Sequence, residues 1–238
     1  MSSPTPASDS RTGSPSAPLS LTERRKAETR MEIARAAAGL FVKHGLRGTR
    51  AEDIAQSVGI APRTFYRYFA TKEEAVAPLY AAGAERWAEA VRAAPLALSV
   101  PEALEHGVRH TLTPGVGVSM NSWPWLRTLI GLAESSPALR RVWAEVCLAS
   151  ERTLGEVLAE RITKGDDTVA DLSLSVASPQ LRFAAAVASA AVRTAVEGWA
   201  SGEAEGRAVA GPAELALRNL RALRDFPWGE LGAARGAL

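Results

Sequence analysis

The sequence predicts an all-α protein of about nine helices. Alanine is abundant in its 238 residues, and glycine or proline interrupts the chain about every 10 to 25 residues. Apolar residues recur between these breakers at helical spacing. No useful length of sequence alternates apolar and polar residues outside residues 172–176, which we assign to a loop.

The composition excludes several protein classes. A single cysteine, Cys147, excludes a disulfide framework and a cysteine-based zinc finger. The richest apolar run, residues 183–192, lies between two arginines and is too short to span a bilayer. The N-terminus has neither the basic start nor the apolar run of a secretory signal. We therefore expect a cytoplasmic protein.

The chain is predicted to have four parts. Seven serines and four prolines in the first 20 residues indicate a tail that cannot bury enough apolar surface to become ordered. Three glycines in the last dozen residues indicate a second flexible end. The predicted parts are a disordered tail (1–20), an N-terminal module (21–70), a helical body (71–226) and a flexible tail (227–238).

Breakers and caps locate the first four helices. His44 and Gly45 give a cationic last turn and a glycine stop. Thr49 precedes Glu52 at capping-box spacing, and Pro62 suits the first position of a helix. Thr71 precedes Glu74 at the same capping spacing, and Pro78 predicts a kink one turn into the helix that follows. The predicted helices are about 21–44, 50–57, 62–68 and 72–93.

The second and third helices form a helix-turn-helix pattern. Gly59 permits a sharp turn between them, and Phe65 can close a small core with the apolar stripes of the first two helices. With Phe65 directed inwards, the third helix turns outward side chains that can contact bases or phosphates: Arg63, Thr64, Tyr66 and Arg67. Residues 21–75 hold 11 Lys and Arg against 7 Asp and Glu, so this end of the chain is basic.

About 45 to 50 residues of this region resemble the TetR family of bacterial transcriptional regulators. The matching residues are Ala36–Phe41, Gly45, Thr49, Ile54, Ala55, Val58, Gly59, the run Thr64–Phe69, and Thr71 to Glu73. One departure is Ala61, which stands where the family often has a serine-type cap. The resemblance implies an N-terminal three-helix DNA-binding domain joined by the fourth helix to a C-terminal helical ligand-binding and dimerisation domain.

The resemblance also implies DNA roles by position. Arg63, Thr64 and Tyr66 are expected in the groove, and Arg67 in the groove or at the backbone. Phosphate contacts are expected from Thr49, Arg50, Tyr68 and Lys72. A dimer would bind a palindromic operator and, in the family's usual mode, repress until a small-molecule effector releases it.

The body is predicted to contain five further helices. They cover about 101–112, 123–134, 137–163, 179–201 and 211–225, with proline at several starts. The last two are the candidate dimer interface implied by the resemblance, and the first of them is rich in alanine. An ordinary buried core helix is the alternative interpretation of that alanine-rich sequence.

A ligand pocket is expected between the body helices, because such clefts are the usual small-molecule sites. The candidate lining residues are Trp125, Ile130, Trp143, Cys147, Phe183 and Val187. The same apolar spacing also suits a plain core. The lack of a dense charged cluster favours an apolar or aromatic effector.

Other kinds of site have little support in the sequence. His106 and His110 have a spacing that can share a metal, but no third ligand is evident. We expect no metal, no cofactor and no enzyme activity, since no catalytic motif occurs locally. The alternative function is an all-α small-molecule carrier or enzyme with a basic docking module.

Overall fold

The computed structural model describes residues 20–116, 123–165, 178–202, 211–228 and 231. Within them lie nine α-helices, in line with the predicted all-α class, and one short 3-10 turn at Glu74–Val76. The helices are α1 (Leu21–His44), α2 (Ala51–Ser57), α3 (Pro62–Tyr68), α4 (Ala77–Ala93), α5 (Val100–Leu112), α6 (Trp123–Ser135), α7 (Pro137–Gly165), α8 (Pro179–Ser201) and α9 (Pro212–Ala222). The loop expected at residues 172–176 lies outside the described residues.

Local capping defines both ends of α1. Ser20 and Glu23 form a reciprocal capping box, in which each backbone amide donates to the other residue's side chain at 2.8 and 3.2 Å. Gly45 ends the helix with φ of +73°, a conformation that disfavours residues with a Cβ. The predicted boundaries of α1 are therefore confirmed.

The turn between α2 and α3 is tight. Gly59 has φ of +71°, and the amide of Ile60 donates to the carbonyl of Ala55 at 3.0 Å. Phe65 is completely buried beneath α1 and α2, in the cluster that also contains Ile33 and Phe41. The helix-turn-helix pattern read from the sequence is thus present.

The predicted capping box at the start of α2 is wrong. The N-cap residue is Arg50, whose amide donates to the Asp53 carboxylate at 2.8 Å. Thr49 is only 1% exposed, and its hydroxyl lies 3.0 Å from the carbonyl of Gly45, at the end of α1. Thr49 therefore ties the start of α2 to α1 because the carbonyls left free at the end of α1 are its nearest partners.

The predicted kink at Pro78 is also wrong. The helix begins at Ala77 rather than near residue 72, so Pro78 occupies the first turn of α4, where its missing amide costs nothing. The predicted Thr71 cap is present one element earlier, where the amide of Glu74 donates to the Thr71 hydroxyl at 3.2 Å. The 3-10 turn, rather than the proline, separates the module from α4.

The body is built around α4, which packs against α5 and α7, while α8 packs against α7 and α9. A buried guanidinium fixes the end of α4 to α7. Arg161 is 6% exposed and donates to the carbonyls of Val91, Ala94, Pro95 and Leu98 at 2.6 to 3.2 Å. These contacts pair the free carbonyls at the C-terminus of α4 with a cation from another helix.

One buried cluster continues from the N-terminal module into the body. It joins Ile33 and Phe65 of the module to Leu129, Ile130 and Leu139 of α6 and α7. Movements of α6 therefore act directly on the packing of the module. No helix in the described part of the chain is both long enough and apolar enough to cross a membrane.

Candidate functional site

The outer face of α3 is polar and exposed. Arg63 and Arg67 are exposed, Tyr66 is 51% exposed, and Thr64 is half-buried. The Tyr66 ring meets the buried Phe65 ring edge-on, with centroids 5.5 Å apart. Since α3 has seven residues, these side chains form a compact surface of two cations, a hydroxyl and a phenol.

A cation on α1 fixes the other end of α3. Arg30 donates to the carbonyl of Tyr68 at 2.6 Å, and its guanidinium lies 4.3 Å from the centre of the Phe69 ring. The contact pairs a carbonyl at the C-terminus of α3 and adds a cation–π interaction. The sequence pattern missed Arg30 because it lies 38 residues from its partner.

Two of the predicted phosphate-contacting side chains have internal partners instead. The Lys72 ammonium donates to the carbonyls of Leu46 at 2.7 Å and Thr49 at 2.8 Å. Thr49 itself is buried, as described above. The geometry corrects both assignments, because these polar groups already join the start of α2 to the segment before α4. Arg50, with a side chain 79% exposed, and the half-buried Tyr68 remain at the surface.

A cavity of about 440 Å³ lies among the helices of the body. Four of the six predicted lining residues do line it, namely Trp125, Ile130, Trp143 and Cys147. Further lining residues include Tyr80, Trp87, Trp123, Ser189 and Arg193, which the sequence analysis did not select. The walls come from α4, α5, α6, α7 and α8, so no local pattern could group them.

Phe183 and Val187 do not line the cavity, which corrects the remaining two assignments. Phe183 is 62% exposed, and its ring packs against Phe226, with centroids 5.5 Å apart. The helix α8 presents another face to the cavity, through Ser189, Val192, Arg193 and Val196. Phe183 is therefore an exposed apolar side chain on the outside of the body.

A second, more polar groove of about 710 Å³ adjoins the cavity and shares Ile130, Trp143, Cys147 and Arg193 with it. Between them, the Trp143 indole donates to the Glu197 carboxylate at 2.6 Å, and Arg193 lies 3.3 Å from the same carboxylate. Burial raises the pKa of the Cys147 thiol to about 12, so this thiol is protonated at neutral pH. Cys147 thus contributes a small apolar surface rather than a reactive thiolate.

The cavity shares a wall with the module's core. Ile130 and Tyr80 line the cavity and also belong to the buried cluster that contains Phe65. The Tyr80 hydroxyl donates to the carbonyl of Leu129 at 3.0 Å, and its ring meets Trp143 edge-on at 4.9 Å. Burial raises the pKa of Tyr80 above its ordinary value. A molecule in the cavity would therefore touch side chains that pack against the module.

The two histidines of α5 lie side by side, with ring centroids 6.4 Å apart. Among the residues that the structure describes, no group of three His, Cys, Asp or Glu side chains could hold a metal ion. The pair has no second feature that points to a ligand.

Comparisons with known proteins agree with this geometry. Residues 33–77 match the family model described as bacterial regulatory proteins, tetR family. A relative, the HTH-type transcriptional regulator TcmR of Streptomyces glaucescens, is 28% identical over 223 residues, which are 90% of this chain and 92% of that protein.

Two solved structures are similar at lower identity. FadR of Thermus thermophilus, a TetR-family repressor crystallised with lauroyl-CoA, is 23% identical with a TM-score of 0.49, covering 87% of this chain and 97% of that one. A TetR-family regulator from Mesorhizobium loti is 20% identical with a TM-score of 0.47, covering 83% and 96%.

Proposed function

The chain belongs to the tetR family of bacterial regulatory proteins, and we propose that it is a repressor that binds a palindromic operator as a dimer and leaves it when a small molecule fills the body cavity. The observation that carries this proposal is the exposed face of α3, held by a buried Phe65 on a tight helix-turn-helix. As a regulator of bacterial genes, it would act in the cytoplasm.

The side chains proposed to contact DNA follow from the exposed surface. Arg63, Thr64, Tyr66 and Arg67 enter the major groove, where a guanidinium can bind guanine and hydroxyls can bind base edges. Arg50 and Tyr68 contact the phosphate backbone on either side of α3. Lys72 and Thr49 support these residues from inside the module.

The dimer is proposed to form through α8 and α9. Asn219 of α9 donates to the carbonyl of Ala191 in α8 at 2.9 Å, so the two helices form one surface. On the outside of α8, Phe183 is exposed, and Ala186 and Ala190 follow at helical spacing. Small residues allow a partner helix to approach closely. A two-fold dimer would place its recognition helices about 34–36 Å apart or a multiple of that.

The effector is proposed to be apolar or aromatic, and to act on α4 and α6. A ligand that contacts Tyr80 and Ile130 changes the packing of the cluster that holds α3. Such a ligand releases DNA only if it binds the released conformation better than the DNA-bound one. Couplings of this kind typically change operator affinity about 5- to 150-fold.

The test begins with selection of bound duplexes from a random library by the purified full-length protein. We expect enrichment of a palindrome, and an affinity for it that falls steeply between two salt concentrations because phosphate contacts release counterions. A carrier or enzyme with a basic docking module would enrich no sequence. Failure to enrich any site with folded, dimeric protein would contradict the proposal.

A further inference from the structure

Three buried polar atoms in the body have no hydrogen-bond partner. Among the described residues, they are the indole nitrogens of Trp87 and Trp123 and the hydroxyl oxygen of Ser189. Each of these side chains is at least nine-tenths buried, and all three residues line the 440 Å³ cavity. Buried donors are normally paired, since an unpaired one loses its hydration without compensation. Their clustering around one cavity indicates a ligand that supplies acceptors.

The walls of the same cavity are aromatic. Tyr80 and Trp87 come from α4, Trp123 and Trp125 from α6, and Trp143 from α7. Two of these rings are held by edge-on neighbours, Trp143 by Tyr80 at 4.9 Å and Trp123 by Trp199 at 5.3 Å. Rings fixed in this way offer flat surfaces against which another ring can stack.

The charge of the lining disfavours a cation. The charged side chains lining the cavity are Arg86 and Arg193, with no carboxylate among the described lining residues. The carboxylate of Glu197 is nearby, but it accepts from Trp143 and lies beside Arg193, on the side of the second groove. Trp143 is therefore already paired, whereas Trp87, Trp123 and Ser189 have no partner.

We propose that the effector is a flat polycyclic aromatic molecule, neutral or anionic, whose ring oxygens accept hydrogen bonds from Trp87, Trp123 and Ser189. The cavity volume falls within the range of drug-sized ligand sites. A flexible acyl chain would leave the three donors unpaired, and a cationic ring system would meet two arginines. The inference rests on the proposed function, because it names the ligand of the site proposed there.

The test compares two probes of equal ring number and charge. Anthraquinone-2-sulfonate has two ring carbonyls, and anthracene-2-sulfonate lacks them. Binding to the full-length protein is measured by calorimetry, with the acridinium cation and dodecanoate as contrasts. We expect the quinone to bind at least about tenfold more tightly than the hydrocarbon, since two hydrogen bonds distinguish them. Equal affinities, or a preference for the cation or the fatty acid, would overturn the proposal, as would no binding by either tricyclic probe.

Two variants localise the effect. Trp123→Phe keeps an aromatic ring and removes its donor, and Ser189→Ala removes the hydroxyl. Each should weaken quinone binding about fivefold and leave hydrocarbon binding unchanged. The matched control is Trp228→Phe, whose indole donates to the carbonyl of Leu223 away from the cavity. Unchanged quinone affinity in both cavity variants would overturn the assignment of the donors.

Operator binding without any probe separates this proposal from the proposed function. If selection enriches no operator, the regulator proposal fails whatever the probes do. If an operator is bound and the probe comparison fails, only the ligand class is wrong.

Discussion

At the scale of single residues, the DNA surface depends on which polar groups remain free. Arg63 and Arg67 are exposed on α3, whereas Thr49 and Lys72 are used inside the module. Residues that look alike in a basic segment therefore have two different roles. One set is available to an operator, and the other holds the frame that presents it.

Arg63→Ala should weaken operator binding without changing the fold. Loss of a guanidinium that reads a base typically costs about 1–3 kcal/mol and relaxes preference at that position. Operator affinity and base preference, measured by titration of single-substituted duplexes, check this. Arg141→Ala, on an exposed position of α7, is the matched control. Equal losses in the two variants would show that Arg63 adds only general charge.

Lys72→Met should destabilise the module, because two carbonyls lose their charged donor. The expected loss is about 1–3 kcal/mol of unfolding free energy, measured by urea denaturation. Arg50→Ala, whose ion pair with Glu52 is 3.7 Å long and exposed, should leave stability nearly unchanged and reduce the salt dependence of operator binding. A stable Lys72→Met protein with a reduced salt dependence would instead support the phosphate role first expected of Lys72.

At the scale of elements, α4 links the cavity to the module. Its C-terminal end is held to α7 by Arg161, and Tyr80, nearer its start, belongs to the cluster that holds α3. Close packing against α5 fixes the side of α4 that carries Trp87. Gly107 of α5 makes this approach possible, since a Cβ there would lie 2.7 Å from Val91 and 3.0 Å from Trp87.

Gly107→Ala should therefore destabilise the body by about 1–3 kcal/mol, as overpacking usually does, and should weaken binding in the cavity by shifting Trp87. Thermal unfolding measures the first effect and quinone titration the second. Gly155→Ala is the control, since its Cβ would be 3.8 Å from the nearest atom, and it should gain up to about 1 kcal/mol. A Gly107→Ala protein as stable as the control would contradict the assigned close contact.

At the scale of the whole molecule, specificity depends on a second copy. A seven-residue recognition helix contacts few base pairs, so two helices at a fixed separation are needed for a long operator. The exposed Phe183 beside the small residues of α8 is the apolar feature proposed for the dimer contact.

Phe183→Glu should give a folded monomer with greatly weakened operator affinity, because it places a charge at an apolar interface without disturbing the protomer's core. Light scattering measures the mass, and duplex titration the affinity. Leu96→Glu, at a position 54% exposed outside α8 and α9, should remain dimeric. A dimeric Phe183→Glu protein would contradict the proposed interface.

The sequence by itself determined the helix-turn-helix and most of its outward residues. Its helices, its glycine turn and its buried Phe65 lie within about 40 residues, and helical periodicity alone assigns their faces. The boundaries of α1 and the Thr71 cap were predictable for the same reason, since capping acts over three or four residues.

Only the tertiary structure decided the role of Thr49 and Lys72 and the shape of the cavity. The Lys72 ammonium finds the Thr49 carbonyl across 23 residues of chain, and the Trp143 indole finds Glu197 across 54. The cavity walls come from five helices, and Phe183 differs from Trp125 only in the direction its helix turns it. Periodicity fixes the faces of one helix, but the packing of all the helices decides which face meets a neighbour, a cavity or solvent.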